Sequence, residues 1–362
     1  MKKMVLVFMT LALIVMVEQS QAANSQTGYA NDPYAAQIAL DSFNYSVRKR
    51  FESIRMGSFQ QGFASAPLFR SDDAWAKAPS SRRSSVSGVS SRRQLDCVYY
   101  NGFTIWGDLY STWASQKNYD NNNGYKFDTI GPAIGFDWTS SAFTVGVATT
   151  YAWGTLDTRS MNHKQDVDTW GVQGYAQYNA EKFYVNSTIG YGHNRYKSTR
   201  QGQPGPGWHS SKYSSNSFNL DLELGMKFNF QSFLVTPHAG LRFFHDRRSA
   251  INESLRASPE RYHVLELPLG ANFGYPIHAG GALIIPQLKA AWIPELARKR
   301  GHASYSNGWS DDSAKRARNG FLLGAGIEAK LSKSLSMHVD YNCNMRNNAY
   351  AHHLNLGAGF TF

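Results

Sequence analysis

From about Phe103 to the C-terminus, apolar and polar residues alternate with a period of two in runs of about 10 to 14 residues, each followed by a turn. Alternation at that period puts one set of side chains on each face of a β-strand. Three runs show it most cleanly. In the first, Phe218, Leu220, Leu222, Leu224, Met226, Phe228 and Phe230 oppose Asn219, Asp221, Glu223, Gly225, Lys227 and Asn229. In the second, Leu335, Met337, Val339, Tyr341, Cys343 and Met345 oppose Ser336, His338, Asp340, Asn342, Asn344 and Arg346. The last strand sets Leu354, Leu356, Ala358, Phe360 and Phe362 against Asn355, Gly357, Gly359 and Thr361.

Twelve such runs can be counted, at about 103–116, 125–138, 143–156, 166–178, 183–197, 215–230, 233–245, 261–277, 283–294, 319–331, 335–346 and 352–362. A two-faced soluble sheet also alternates, so the connections decide. Tight turns at 139–142, 179–182, 231–232, 278–282 and 332–334 alternate with mostly longer connections, the longest at Lys197 to Ser214 and Glu295 to Asn319. Short turns at one rim and long polar loops at the other are the mark of an outer-membrane barrel. The expected fold class is therefore all-β: a twelve-stranded antiparallel transmembrane β-barrel over residues 101–362, with a helix ahead of it. Trp113, Trp138, Tyr151, Trp153, Trp170, Tyr178, Phe183, Tyr275 and Trp292 lie near strand ends, where rings favour the membrane–water interface. Core aromatics of a soluble sandwich are the competing account.

Ahead of the barrel, Asp32-Pro33, Tyr34 to Met56 and Gly57 predict a helix over 34–56 within a short N-terminal segment, 23–58. Asp32 is expected as N-cap and Gly57 as stop. Ala36, Leu40, Phe43, Val47, Phe51 and Ile54 form an apolar stripe, and Arg48, Lys49, Arg50 and Arg55 make the other side cationic. Residues 59–100 are rich in Ser and Arg, including the pairs Arg82-Arg83 and Arg92-Arg93, and read as a linker without its own core. The pairs are protease sites or solvated charge.

The start of the chain reads as an export signal over residues 1–22: Met1-Lys2-Lys3, an apolar run from Met4 to Val17, then Ser20-Gln21-Ala22 with cleavage expected after Ala22. At about 14 residues the run is shorter than a membrane-spanning helix needs. A mean hydropathy of −0.43 looks soluble, but membrane strands turn only every second residue to lipid. The net charge of +11 could suggest nucleic acid; the export signal argues for no nucleic-acid partner. Part of that excess is Arg298, Lys299, Arg300, Lys315, Arg316 and Arg318, expected on a cell-surface loop as solvated charge or facing lipid phosphates. Two cysteines exclude a disulfide-dense scaffold. A Cys97–Cys343 bridge and two separate thiols both remain open.

Several stretches together resemble the autotransporter β-domain over roughly residues 100–362: Trp106-Gly107-Asp108, Asp128 to Asp137 with its spaced glycines, Thr236 to Phe243, Leu283 to Trp292 with Pro286, and the terminal Gly359-Phe360-Thr361-Phe362. The resemblance implies an outer-membrane barrel of the type V secretion class whose lumen holds an α-helix. It also implies that Phe360 and Phe362 are read by the barrel assembly machinery. Alternation places Asp221, Glu223, Lys227, Arg242, Glu266, Lys289, Glu328, Asp340 and Arg346 toward the lumen. Asp221, Glu223, Glu266, Glu328 and Asp340 are expected to pair with the helix arginines, Arg48, Arg50 and Arg55.

The expected partners are outer-membrane lipid and lipopolysaccharide and the assembly machinery, with the barrel monomeric. Two departures from the family pattern bear on function. Only about ten residues lie between the expected cleavage and the helix, too few for a recognisable passenger, and the long linker loosens the case for a plug. A passive pore and an adhesin acting through the two longest loops are the alternatives.

No phosphate loop, metal-ligand spacing or nucleophile elbow occurs, so no cofactor, metal or catalytic residue is assigned and the chain is not expected to be an enzyme. His209-Ser210-Ser211 has the residue types of a barrel phospholipase but is expected in the 197–214 loop, away from lipid. His302, His352 and His353 are expected as solvated loop histidines.

Overall fold

The computed structural model describes residues 28–63 and 102–362, apart from 120–121, 141, 160, 202–206, 231–232, 253–255, 280–281, 309 and 333. In the helix, side chains are described as far as Met56. The expected export signal, residues 64–100 of the expected linker with its paired arginines, and Cys97 lie outside the described residues, while residues 59–63, expected as linker, belong to the helix.

Twelve antiparallel strands close into one barrel. The first six are β1 (Gly102–Gln116), β2 (Tyr125–Ser140), β3 (Phe143–Thr158), β4 (His163–Asn179), β5 (Phe183–Gln201) and β6 (Trp208–Met226, continued by Phe228–Phe230). Next come β7 (Phe233–Arg248), β8 (Glu260–Glu266, Leu269–Gly274 and Ile277–Ala279) and β9 (Ala282–Arg298). The last three are β10 (Asn319–Lys330), β11 (Leu335–Arg346) and β12 (Ala349–Thr361). Strands adjacent in the chain pair with one another, and β1 pairs with β12 from Thr104 opposite Thr361 to Gln116 opposite Ala349. That ladder removes both sheet edges, which in lipid would leave backbone groups unsatisfied at several kcal/mol each.

The strands carry their apolar residues outward. On β12, Leu356 is 50% exposed while its neighbour Asn355 is 1% exposed. The aromatics at strand ends point outward too: Trp113, Tyr151, Trp153, Trp170 and Trp292 are exposed toward the long-loop rim, and Trp138, Phe183 and Tyr275 toward the other. Inward aromatics sit over glycines instead. Trp106 lies over Gly135, Tyr175 over Gly146 and Tyr184 over Gly225, each pair directly opposite in register, and a Cβ at any of these glycines would collide with the ring.

The rim carrying both barrel termini has turns of two to four residues, and the other has connections of up to twenty, at 299–318. One outer connection is tight, Asn347-Asn348 between β11 and β12. The predicted 197–214 loop is largely strand: β5 runs to Gln201 and β6 begins at Trp208. Above the membrane no lipid selects apolar residues, so pairing continues after the hydrophobic alternation has stopped. The 295–319 connection likewise contains the end of β9 and a short hairpin, His302–Ser304 against Ser310–Asp312.

A helix, α1 (Asp32–Phe63), fills the lumen, preceded by a 3-10 turn at Tyr29–Asn31. It is longer than predicted. Asp32 is its first residue, not an N-cap, and its carboxylate turns to Tyr213 and Arg248 of the wall. Gly57 does not end the helix; a glycine in helical conformation costs about 1 kcal/mol and is not by itself a stop. The helix N-terminus lies at the long-loop mouth, where Gly28 sits against Thr158 and His163. Further along, Arg50 and Ser53 line a cavity with Thr139, Ser332 and Ser334 of the short-turn rim. The long linker therefore does not prevent plugging: it joins a helix end and a first strand at the same rim.

Candidate functional site

Among the described residues, the lumen and its helix are where charged groups converge under cover. The apolar stripe comes first. Ala36, Leu40, Phe43, Val47 and Phe51 are 0–1% exposed and form one core with Trp106, Tyr110, Tyr175, Tyr196, Tyr213 and Tyr262 of the wall. Ile54 is only half-buried, beside the short-turn rim. Gly171 of β4 and Gly192 of β5, opposite in register, make room for Phe43 and Leu40 of the stripe. A Cβ at Gly171 would stand 3.4 Å from Phe43, and one at Gly192 would stand 3.5 Å from Leu40. Phe51 meets Tyr175 edge to face at 5.6 Å.

Three consecutive cations then hold the helix from three sides, because successive helical residues point about 100° apart. Arg48 closes on Asp221 of β6. Lys49 faces Glu328 of β10 at 3.6 Å and Asp340 of β11 at 3.8 Å. Arg50 makes two bonds to Asp137 of β2, at 2.7 and 2.8 Å. Lower on the helix, Arg55 lies 4.0 Å from Glu223 and 4.0 Å above the ring of Tyr184. Breaking a buried pair by removing one member costs about 3–5 kcal/mol, so this arrangement sets both the rotation and the depth of the helix.

A polar knot continues around Lys49. Lys289 bridges Glu52 of the helix and Asp340 of the wall, both at 2.9 Å. The Ser53 hydroxyl donates to Glu328 at 2.6 Å. On the opposite wall a relay runs from the Trp106 indole N–H to the Tyr175 hydroxyl at 2.7 Å, and from that hydroxyl to Asp137 at 2.9 Å.

Toward the outer mouth the wall pairs with itself. Glu266 bonds Arg346 at 2.7 Å, and Glu295 bonds Arg316 at 2.8 Å, Arg298 at 2.7 Å and Arg346 at 3.1 Å. Arg316 also stacks over Tyr34 of the helix at 5.3 Å. Gly28 donates its N–H to Asp311 of the outer hairpin segment at 2.9 Å, and the Tyr34 and Ser313 hydroxyls are 3.0 Å apart. The 299–318 connection thus folds over the mouth. Cavities beside the helix measure about 70, 40, 20 and 50 Å³, room for one or a few waters each.

Of the acids expected on the helix arginines, Asp221 and Glu223 meet Arg48 and Arg55, whereas Glu328 and Asp340 meet Lys49; Lys289, expected toward the lumen, bonds Glu52 of the helix. Glu266 pairs with Arg346 of the wall instead, since the helix turns its cations elsewhere at that height. Arg242 lines the cavity beside Arg48 and Glu223. Lys227 lies apart, donating to Asn179 at 2.9 Å. Phe360 and Phe362 point outward at the short-turn rim, 47% and 70% exposed.

Other positions differ from expectation. His352 and His353 are in β12, not a loop. His353 faces inward, bonded to Thr112 at 2.8 Å and 4.4 Å from the Tyr45 ring, and His352 faces outward, bonded to Tyr341 at 2.6 Å. His302 lies in the outer hairpin, bonded to Asp312 at 2.6 Å. His209 and its serines belong to β6, with Ser211 turned inward 3.2 Å from Tyr29. Arg298 and Arg316, expected on the surface, turn onto Glu295, with Arg316 buried and Arg298 half-buried. Cys343 is half-buried on β11.

Sequence reading missed Asp137, Glu52, Glu295 and Arg248. The signal for Asp137 was present, because Phe136 and Trp138 face outward and force it inward. Glu52 is an acid three residues after Lys49 on an otherwise cationic face, a spacing that marks a local pair.

The chain is similar in sequence and in fold to known proteins. Over 277 residues the chain is 25% identical to outer membrane protein A of Rickettsia rickettsii, covering 69% of this chain and 12% of that protein. A probable autotransporter of Escherichia coli, YpjA, is 25% identical over 244 residues, 65% of this chain and 16% of that protein. The chain thus spans well under two thirds of the curated relatives it matches.

Among solved structures, the transport unit of AIDA-I from Escherichia coli superposes with a TM-score of 0.62 at 16% identity, covering 76% of this chain and 93% of that one. The translocator domain of NalP from Neisseria meningitidis gives 0.60 at 12% identity, covering 73% and 89%. Both share the fold. The profile of the autotransporter beta-domain family matches residues 105–342. The chain belongs to the autotransporter beta-domain family, and is an outer-membrane barrel of the translocator class.

Proposed function

We propose that this chain is a translocator-class barrel held shut by its own helix, with the segment ahead of the helix emerging at the cell surface. The observation that carries the reading is the direction of α1. Its N-terminus lies at the long-loop mouth, and three consecutive cations fix it to β2, β6, β10 and β11. In such a barrel the family's work is transport, with no catalytic group required of the lumen. A passive pore is disfavoured, because the helix occupies the path a solute would take.

The chain reaches the outer membrane by Sec-type export with cleavage near Ala22. Its outward Phe360 and Phe362 serve as the handle for the barrel assembly machinery, and the folded barrel works as a monomer in lipid and lipopolysaccharide. Planar-bilayer conductance tests the closure. Mature protein should be silent, and a variant lacking residues 23–60 should conduct; equal conductance from both would sink the plug.

A further inference from the structure

Just beyond the last apolar residues on the outer face of β7, β8 and β9, five basic side chains stand together. His245 lies opposite His263, and Arg247 opposite Arg261. Lys299 follows β9 and donates its backbone N–H to the His263 carbonyl at 2.9 Å, which sets it beside that pair. Arg247, Arg261, His263 and Lys299 are exposed. The acids of these strand ends, Asp246 and Glu260, are buried on the inner face. None of the five has an ion-pair partner among the described residues, and Arg247, Arg261 and His263 all act electrostatically on His245.

Like charges directly opposite on antiparallel strands destabilise the pairing. Elsewhere on the outer rim acids are interspersed among the bases, although Lys197 also stands opposite Lys212. Asp157 stands between Lys126 and Lys164, Asp166 opposite Lys197, and Asp168 opposite Arg195. The all-basic patch is therefore an exception to how this barrel decorates its outer rim. Its height is also specific. On β7 the outward positions from Phe233 to Phe243 cover about 25 Å along the membrane normal, the full apolar band of such a barrel. His245 and Arg247 come next, at the level of the outer-leaflet headgroups.

We propose that this patch binds the phosphate of an outer-leaflet phosphoglycolipid, whose acyl chains lie against Leu241, Phe243 and Leu265 below it. The proposal rests on the outer-membrane location. An anion there turns the cross-strand pair Arg247–Arg261 from mutual repulsion into shared ligation, with both guanidinium forks suited to phosphate oxygens and the facing imidazoles of His245 and His263 beside them.

The test titrates refolded protein in neutral detergent with diphosphorylated lipid A, with its dephosphorylated form, and with inorganic phosphate. The phosphorylated lipid should bind saturably. The triple variant Arg247→Ser, Arg261→Ser, Lys299→Ser should weaken it on the order of a hundredfold, about fivefold for each cation. Lys164→Ser, in the sign-alternating region, should change nothing. Folding of each variant is checked by heat-modifiable gel mobility, and if the triple variant does not fold, Arg261→Ser alone should show its fivefold loss. Equal affinity of wild type and variants, or equal binding of the dephosphorylated lipid, overturns the proposal. Competition by inorganic phosphate at lipid-like concentrations assigns the patch to a soluble anion and overturns it too.

Discussion

Arg50 of the helix and Asp137 of β2 meet through two near-parallel bonds, Nε–H to Oδ2 at 2.7 Å and Nη2–H to Oδ1 at 2.8 Å. A planar fork on a carboxylate fixes direction as well as distance. Asp137 is wholly buried and also accepts the Tyr175 hydroxyl, so the helix is tied to the same carboxylate that organises the inner wall of β1, β2 and β4.

Asp137→Ala should therefore loosen the helix far more than the barrel. The variant leaves Arg50 buried without its partner, a cost of about 3–5 kcal/mol. Bilayer recordings should show frequent opening while the folded band on a cold gel is retained. Silence equal to wild type would mean the other two cations suffice.

Lys289 joins Glu52 and Asp340, so single and double variants there should not add. Lys289→Met is expected to destabilise strongly, and Lys289→Met with Glu52→Gln less than the sum of the singles, by about 0.5–3 kcal/mol. Thermal melts of the four proteins read the coupling.

Gly171→Val tests the space reserved for the helix. The new side chain would grow toward Phe43, and overpacking of that kind costs about 1–3 kcal/mol. Trypsin should cleave at Arg48 to Arg55 sooner than in wild type, with the strands still protected.

Leu224→Arg probes the lipid face. Leu224 is 55% exposed near the middle of the outward run of β6, where an arginine costs about 2–4 kcal/mol. The denaturant midpoint in lipid vesicles should fall by a matching amount. The same charge at Lys212, above the membrane, is already tolerated, and Lys212→Arg should leave the midpoint unchanged.

How much of this was legible in the sequence follows from what selects each residue. Lipid selects Leu220, Leu222 and Leu224 for being apolar whatever else they touch, so the outward face was readable. Water imposes no such choice on Lys197, Thr199, Ser210 and Lys212, which are exposed, so the upper reach of β5 and β6 read as loop. The lumen stands between these cases. Alternation showed that Asp221 and Glu266 both face inward, but only the rotation of the helix decides that the first meets Arg48 and the second does not. That angle is set by the buried ion pairs together with Phe43 and Leu40 packing on Gly171 and Gly192, the latter contacts between residues more than 120 positions apart.

The seam between β1 and β12 also orders events in time. Thr104 and Thr361 stand 257 positions apart, and the ring stays open for the interval in which the strands between them pair. Through that interval the first strand has one bare side and cannot be shielded by its eventual neighbour. Any escort the chain needs must therefore act on an unfinished ring, and loss of the final dozen residues would remove the only piece able to shut it.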